Sequence, residues 1–327
     1  MSQPRYDFAA GTFQFFIAVG RRPMGALWIA AWQLVLIGAA TAAMIAVFWP
    51  LFELMSRAGE MDVEAEMAAV VMQVMGLIIL ITLAFLVFAL MFQGAWLRLL
   101  TRDEIKPGIP FRLGGDEIRL LGVNLIFIAF WTLAYLLTIA LVAVIVAVAG
   151  GADGFGGTAA VALAGTIAVI AALVAIIMIC LRFAAAPALS VHQRRFRLFE
   201  AVSASKNVAG MMFLSYLTLI VVWIAGAVVI SMIQQVAILF GAADLMAQLM
   251  RLDEGGDPQV MLALLGETLT STTGIVVLSV IILSQYLFQI AFEGLWHGVG
   301  AYVAKRHGDA DAAIGAEAAA PAPETAG

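Results

Sequence analysis

The chain has 327 residues, of which 64% are hydrophobic and 12% are charged, and its formal net charge is −5. Soluble domains carry roughly twice this share of charged residues, so the composition excludes an ordinary soluble fold. The acidic balance also gives no indication of nucleic-acid binding, which depends on an excess of basic side chains.

The first segment, residues 1–22, is predicted to be amphipathic and rich in aromatic side chains. Such a segment can lie flat in the membrane interface before Pro23 starts the first crossing. We therefore expect a cytoplasmic amphipathic segment in front of the membrane domain. Its characteristic residues are Phe8, Phe13, Phe15, Phe16 and Val19.

Six hydrophobic stretches follow, each long enough to cross a bilayer, which takes about 20 apolar residues of helix. They lack the alternation of polar and apolar residues that barrel strands show, so they predict helices. We expect an all-α polytopic membrane domain over residues 23–306, a bundle of six transmembrane helices with short interfacial helices. The predicted spans are 24–48, 68–97, 120–149, 158–181, 209–240 and 273–303.

Lysines and arginines are concentrated on one side of these spans. Of the 17 in the chain, only Arg57 and Arg251 fall in the links of the other side. The rest precede the first span, lie between the second and third or the fourth and fifth, or follow the sixth. Because positive residues stay on the cytoplasmic side, the pattern predicts a multi-pass protein of the bacterial inner membrane with both termini in the cytoplasm. It also favours contact with anionic membrane lipids.

The links on the other side are predicted to be short or weakly structured. Residues 150–157 are rich in glycine and indicate a hairpin turn, and residues 242–252 and 258–270 indicate two short amphipathic helices. After the last span, residues 307–327 consist largely of Ala, Asp, Glu, Gly and Pro. This composition predicts a disordered cytoplasmic tail.

The sixth span is the most polar and contains the candidate intramembrane site. Glu293 is the only carboxylate well inside a predicted span, and an isolated charge at mid-membrane costs about 2.5–3.5 kcal/mol. We therefore expect it to face the bundle, protonated or paired, with Arg98 and Arg182 as candidate partners. Two interpretations stay open, a relay for protons or solutes and a structural clamp that holds three helices. The polar stripe recurs every four residues, at Gln285, Gln289, Glu293 and His297.

No motif predicts catalysis, a cofactor or a metal site. The sequence has no HExxH motif, no nucleophile elbow and no nucleotide-binding loop. His192, His297 and His307 lack the spacing of metal ligands. The single cysteine, Cys180, has no partner for an internal disulfide, and a thiol in apolar surroundings is usually inert. We expect a protein that is not an enzyme and uses no cofactor.

The link between the fourth and fifth spans is the most distinctive passage of the chain. An alanine-rich run from Arg182 to Leu189 predicts a helix end stopped by Pro187. A basic turn follows, and then an amphipathic helix with Phe199 and Val202 toward lipid.

This passage resembles a superfamily of bacterial six-helix membrane proteins, which includes the membrane domain fused to some glycerophosphodiester phosphodiesterases. In that superfamily the fourth helix ends in a similar Ala-Pro run, and a helix of the Glu-Ala-x-x-x-Ser type follows; Glu200, Ala201 and Ser205 occupy comparable places here. The basic link after the second span is also similar. The resemblance implies a stand-alone six-helix bundle, without the phosphodiesterase domain and its activity.

Two functions are compatible with this pattern. The leading hypothesis is a non-catalytic inner-membrane protein that supports membrane or envelope organisation by binding lipids or a membrane-protein partner. The competing hypothesis is a carrier or channel for a small solute or protons, which uses the polar face of the sixth helix. A membrane-embedded enzyme built on Glu293, His297 and Arg182 is a distant third.

Overall fold

A computed structural model describes residues 5–56, 63–105, 108–150, 155–241 and 271–319, together with 264, 266 and 267. Across these ranges the chain is helical and contains no strand. The helices are α1 (Phe8–Thr12), α2 (Gln14–Arg21), α3 (Pro23–Ser56), α4 (Val63–Arg102), α5 (Gly115–Gly150), α6 (Phe155–Phe183), α7 (Ala186–His192), α8 (Glu200–Ser205), α9 (Ala209–Gly241) and α10 (Thr272–Ala319).

Six helices of the described ranges are long and apolar enough to cross a membrane, namely α3, α4, α5, α6, α9 and α10. The prediction of an all-α bundle with six membrane helices is confirmed. Most of these helices extend beyond the predicted spans; the sixth, for example, has a candidate crossing segment of 37 residues. Hydropathy detects only the apolar part of a helix, while polar turns at its ends continue the same hydrogen-bonded ladder.

Consecutive long helices pack as three hairpins, α3 with α4, α5 with α6, and α9 with α10. Helix α10 is central, since it also packs against α3, α4 and the short helices α1, α2, α7 and α8. The α5/α6 hairpin meets the rest of the bundle mainly through α4, α7, α8 and α9. It therefore stands partly apart from α10.

The two ends of the bundle differ in packing. We call the end that holds α1, α2, α7, α8 and the link from α4 to α5 the basic end, and the opposite end the distal end. At the basic end α4 is buried from Trp96 to Leu100, and most of α10 is buried from Val299 to Ala304. In the distal halves of α3, α4 and α5, the buried hydrophobic residues that the structure describes are Leu54, Val74 and Ala134.

The N-terminal segment packs against the long helices of the bundle through one of its faces. Its predicted position in the membrane interface stays a prediction. The Tyr6 hydroxyl lies 3.0 Å from Oγ of Ser215 in α9, and the Thr12 hydroxyl donates to the same oxygen at 2.9 Å. Phe15 is buried against Trp96, with ring centroids 5.5 Å apart. Burial raises the pKa of Tyr6 to about 12. An amphipathic pattern shows that one face is apolar, but it does not show whether that face meets lipid or protein.

The last helix continues past the predicted end of the membrane domain. Residues 307–319, predicted as the start of a disordered tail, are helical as part of α10. Alanine dominates this part of the sequence and has the highest helix propensity. The turns also extend a helix that already exists, so no new nucleation step is required. Residues 320–327 lie outside the described residues.

Pro187 begins a helix and does not end one, contrary to the prediction. Helix α6 ends at Phe183, and α7 starts three residues later with Pro187 in its first turn, where a missing N–H removes no helical hydrogen bond. The helix is buried from Ala186 to Val191. Phe199, predicted to face lipid, is 74% exposed.

The links at the distal end lie largely outside the described residues. Helix α5 ends at Gly150 and α6 begins at Phe155, so both helices extend into the predicted glycine-rich turn, whose residues 151–154 lie outside the described residues. The two predicted amphipathic helices, 242–252 and 258–270, fall almost entirely outside the described residues.

Candidate functional site

A cavity of about 850 Å³ lies at the basic end of the bundle, between the α5/α6 hairpin and helices α4, α9 and α10. Its volume falls within the range of about 300–1,000 Å³ that is typical of sites for small molecules. The cavity exists because α5 and α6 meet α10 mainly through intervening helices. Its wall includes Phe127, Trp131, Cys180, Phe183, Leu217 and Trp296.

Small residues place α7 against α10 and so form one side of the cavity. Ala184, Pro187 and Ala188 belong to the wall. A β-carbon at Gly300 of α10 would lie 3.1 Å from the carbonyl oxygen of Ala184, so a glycine is needed for this approach. Small side chains at helix contacts let the backbones come close together. The alanines around Pro187 are therefore what allows this short helix to fit between the long ones.

The wall of the cavity is apolar and carries few polar side chains. Asn124 donates a hydrogen bond from Nδ2 to Oε1 of Gln93 at 2.7 Å, so the two amides partly satisfy each other. His297 contributes an imidazole. The described wall residues include no lysine, arginine, aspartate or glutamate. Because a charged group without a partner is strongly disfavoured in such surroundings, the cavity suits an uncharged apolar molecule.

Glu293 lies next to the cavity in a chain of side-chain contacts. Gln33 donates a hydrogen bond from Nε2 to Oε2 of Glu293 at 2.8 Å and accepts one at Oε1 from Nε1 of Trp96, also at 2.8 Å. Nε2 of His297 lies 3.7 Å from Oε1 of Glu293. His297 belongs to the cavity wall and Glu293 does not. The chain of contacts joins α3, α4 and α10.

Neither predicted arginine partner reaches Glu293. Arg98 forms a close ion pair with Glu117 and lies 3.8 Å from Asp116. Arg182 forms no ion pair with any residue that the structure describes. The pairing prediction is therefore wrong, because shared helix ends do not reveal which helix faces meet. The first turn of α5 presents its two acids directly to α4.

The polar residues of α10 do not form one continuous site. Glu293 and His297 lie together, whereas Oε1 of Gln285 accepts a hydrogen bond from Nε2 of Gln234 in α9 at 3.3 Å. Gln289 is exposed. Because a spacing of four residues drifts by about 40° around a helix at each step, the stripe turns from α9 toward α3 along its length.

An ion-pair cluster that the sequence pattern does not reveal lies beside the cavity at the basic end. We call it the arginine cluster; it consists of Arg98, Arg102, Arg112, Arg119, Asp116 and Glu117. Asp116 lies 2.7 Å from Nη2 of Arg102, 2.8 Å from Nη1 of Arg119 and 3.3 Å from Nη2 of Arg112. Arg98, Asp116 and Glu117 are buried. The sequence signal that indicates this cluster is the Asp116-Glu117 pair, which stands in a link otherwise rich in arginine.

The arginine cluster also fixes α7. Arg102 donates from Nη1 to the carbonyl oxygen of Val191, in the last turn of α7, at 2.8 Å. The same guanidinium donates from Nη2 to Asp116 at the start of α5. Helices α4, α5 and α7 are thereby held together at the end where the cavity lies.

Comparisons with models of protein families, with curated proteins and with solved structures find no match for this chain.

Proposed function

We propose that the protein is a non-catalytic, multi-pass protein of a bacterial inner membrane that binds an uncharged lipid in the cavity at the basic end. In this role it supports the organisation of the membrane, alone or with a membrane-protein partner. The observation that carries the proposal is the apolar cavity of about 850 Å³ between α5/α6 and α9/α10. We also propose that the chain belongs to the superfamily of bacterial six-helix membrane proteins that its sequence resembles.

The orientation follows from the distribution of charge. All but two of the lysines and arginines lie in segments that belong to the basic end or immediately adjoin it. Positive residues stay in the cytoplasm, so the basic end faces the cytoplasm and both termini are cytoplasmic. The cavity then lies in the half of the bilayer next to the cytoplasm.

The chemistry of the wall favours a neutral lipid over a charged one. Aromatic and aliphatic side chains surround the space, and the amides of Asn124 and Gln93 are bonded to each other. Burial of a lipid chain against such a wall is favourable by about 0.8 kcal/mol for each CH₂ group relative to water. Within a membrane the preference over bulk lipid is smaller and comes from close packing and from the few polar contacts that fit.

Cys180 provides a direct test, because it is the only cysteine of the chain and belongs to the cavity wall. We expect an apolar maleimide to label Cys180 slowly in protein that retains its lipids and at least about tenfold faster after delipidation, as for a site that excludes the reagent when occupied. Adding back diacylglycerol or a long-chain alcohol restores the protection. Equal labelling rates in all three states would contradict the proposal.

A matched control lies on the same helix. Val174 is 54% exposed and lies outside the cavity wall. In a C180S background, V174C is expected to react with the maleimide at the same rate whether or not lipid is present.

A second pair of variants tests retention of lipid. Leu217 lines the cavity and Leu214 does not, and both are 43% exposed. L217W should lower the amount of neutral lipid that co-purifies, and L214W should not.

Transport of a small solute or protons is the second candidate function. The observation in its favour is that His297 both lines the cavity and lies 3.7 Å from Glu293, so an occupant of the cavity could reach a titratable pair. Proteoliposomes with a pH-sensitive dye inside measure this function. Flux that is present in the wild type and lost in E293Q supports transport. Flux that is absent in the wild type leaves lipid binding as the function.

A further inference from the structure

We propose that Arg112 and Arg119, on the outer side of the arginine cluster, form a binding site for the phosphate of an anionic phospholipid. The site is separate from the cavity, whose described wall contains neither residue. It differs in chemistry as well, since it takes a charged headgroup where the cavity takes an uncharged chain.

The charges of the cluster leave these two arginines in excess. Within the cluster, the described ion pairs join the two carboxylates of Asp116 and Glu117 to four arginines, so two positive charges have no carboxylate of their own in it. Arg98 and Arg102 are buried and occupied by their partners. The excess charge therefore belongs to the outer members of the cluster.

Arg112 and Arg119 have N–H donors that no described hydrogen bond uses. Each guanidinium has five N–H groups, and each of these two donates one described hydrogen bond, to opposite oxygens of Asp116. Their side chains are 37% and 29% exposed, whereas Asp116 is 4% exposed. The shared carboxylate keeps both guanidiniums within hydrogen-bond distance of Asp116. An anion that binds beside Asp116 receives charge-assisted hydrogen bonds from the remaining N–H groups, as arginine provides for phosphate.

The backbone makes room for this arrangement. A β-carbon at Gly115 would lie 3.2 Å from Nη2 of Arg119, tighter than ordinary packing. Glycine at this position lets the guanidinium fold over the start of α5. The neighbouring Gly114 donates its N–H to Oε2 of Glu117 at 3.0 Å, which fixes the turn.

Exposed apolar side chains flank the two arginines and identify the occupant as a lipid. Leu113 is 70% exposed and Ile118 is 71% exposed, and each adjoins one arginine in the chain. The site lies where α5 enters the membrane, the depth at which phosphates of a bilayer are found. A phospholipid satisfies both features, with its phosphate on the guanidiniums and its acyl chains along Leu113 and Ile118. Free phosphate satisfies only the first.

Native mass spectrometry of the full-length protein in mild detergent tests the site. The probes are phosphatidylglycerol, phosphatidylcholine and inorganic phosphate. Both lipids carry a phosphate, but the ammonium group of choline is repelled by the two guanidiniums. Wild-type protein is therefore expected to retain phosphatidylglycerol about tenfold more tightly than phosphatidylcholine. R112Q/R119Q should lose this preference. The control R21Q/R22Q removes the same charge from exposed positions at the same end and should change the affinity less than about twofold.

Several outcomes would overturn the proposal. One is an unchanged preference for phosphatidylglycerol in R112Q/R119Q; another is displacement of the lipid by inorganic phosphate, which would indicate an ion site only. An acidic protein that co-purifies through these arginines, with lipid binding unaffected, would assign the site to a protein partner. If R112Q/R119Q does not stay monodisperse, R112K/R119K decides instead. It keeps the charge but loses paired donors, so the affinity should fall about threefold, and no change would contradict the site.

The cavity and the phosphate site can fail independently. L217W changes the cavity without touching the arginines, and it is expected to leave binding of phosphatidylglycerol unchanged. R112Q/R119Q is expected to leave the lipid protection of Cys180 unchanged.

Discussion

Helix α4 shows the contrast between the two ends of the molecule within one element. At the basic end its residues from Trp96 to Leu100 are buried, while at the distal end Met72, Ile79 and Leu80 are largely exposed. Both parts are strongly apolar in sequence. In a membrane an apolar side chain gains little by facing protein in place of lipid, so apolar character alone does not pack helices together.

The basic end is packed because it combines glycines and alanines at helix contacts with hydrogen-bonded side chains and the buried ion pairs of the arginine cluster, whereas the distal end has close contacts at single residues, such as Gly241 against Val277. Gly94 adjoins the arginine cluster, since a β-carbon there would lie 2.6 Å from Oε1 of Glu117. A β-carbon at Gly76, nearer the distal end of the same helix, would meet no neighbouring atom within 4 Å. The specificity of the fold is therefore concentrated at the basic end, where the candidate sites are also found.

The largest effect is expected from breaking the buried ion pair of the basic end. R98M leaves Glu117 buried without its partner, which should lower the free energy of unfolding by about 3–5 kcal/mol. Denaturant titration in detergent micelles measures this change. R195M removes an exposed arginine at the same end and should change the stability by less than about 0.5 kcal/mol.

The double variant R98M/E117M distinguishes the cost of leaving Glu117 unpaired from other effects of the R98M substitution on stability. Replacing both partners of a buried pair by apolar residues is far less harmful than removing one, so most of the stability should return. A double variant as unstable as R98M would show that Glu117 is not the group that Arg98 compensates.

Alanine at two glycines of α4 compares the ends directly. G94A places a β-carbon against the carboxylate of Glu117 and should destabilise the protein by about 1–3 kcal/mol through overpacking. G76A meets no neighbour and should be neutral or slightly stabilising, because alanine has the higher helix propensity. Thermal unfolding of the two variants side by side gives the difference, and equal losses would show that the distal end is as tightly packed as the basic end.

The attachment of the N-terminal segment should contribute a smaller amount. Y6F removes the hydrogen bond between the Tyr6 hydroxyl and Ser215 but keeps the ring, so the expected loss is about 1 kcal/mol. Limited proteolysis of the segment provides a second measurement. No change in either the stability or the cleavage rate would indicate that the segment does not pack on α9 in solution.

The smallest effect is the pH dependence of the α8 region. A hydrogen bond from Arg197 lowers the pKa of Glu200, so ionised Glu200 stabilises the folded state above the unfolded pKa of about 4.3. This contribution is lost as the pH falls through the lowered pKa. Because the Glu200 side chain is 42% exposed, the difference in stability between wild type and E200Q should be small; it should be present at neutral pH and vanish as the pH falls through the acidic range. A difference that persists from pH 3 to 7 without change would contradict this origin.

The sequence was sufficient for the number and type of the long helices, because a membrane demands apolar helical stretches of a minimum length. It was not sufficient for helix contacts. The sequence makes Arg98 a candidate partner of Glu293 because the helices of both end at the same side of the membrane, yet Arg98 contacts Glu117 and Glu293 contacts Gln33. Polar side chains pair according to which faces meet, and that depends on the packing of all helices together.

The short elements of the basic end were the least predictable. The sequence pattern predicts that Pro187 ends a helix, but proline is equally suited to the first turn of a new one, where the structure places it. The cavity could not be predicted at all, since its wall has the same apolar composition as the surface that faces lipid. Gly300 lets α7 approach α10 closely, but residue size alone does not reveal which helices meet.

A cryo-EM map of the protein in lipid nanodiscs tests the central claim most directly. We predict elongated density, of the width of a lipid chain, between α5/α6 and α9/α10, in contact with Cys180 and Trp296. A bundle in which α5 and α6 close onto α10 without a cavity would contradict lipid binding. A water-filled path that connects Glu293 to the cavity and to the cytoplasm would contradict it in favour of transport.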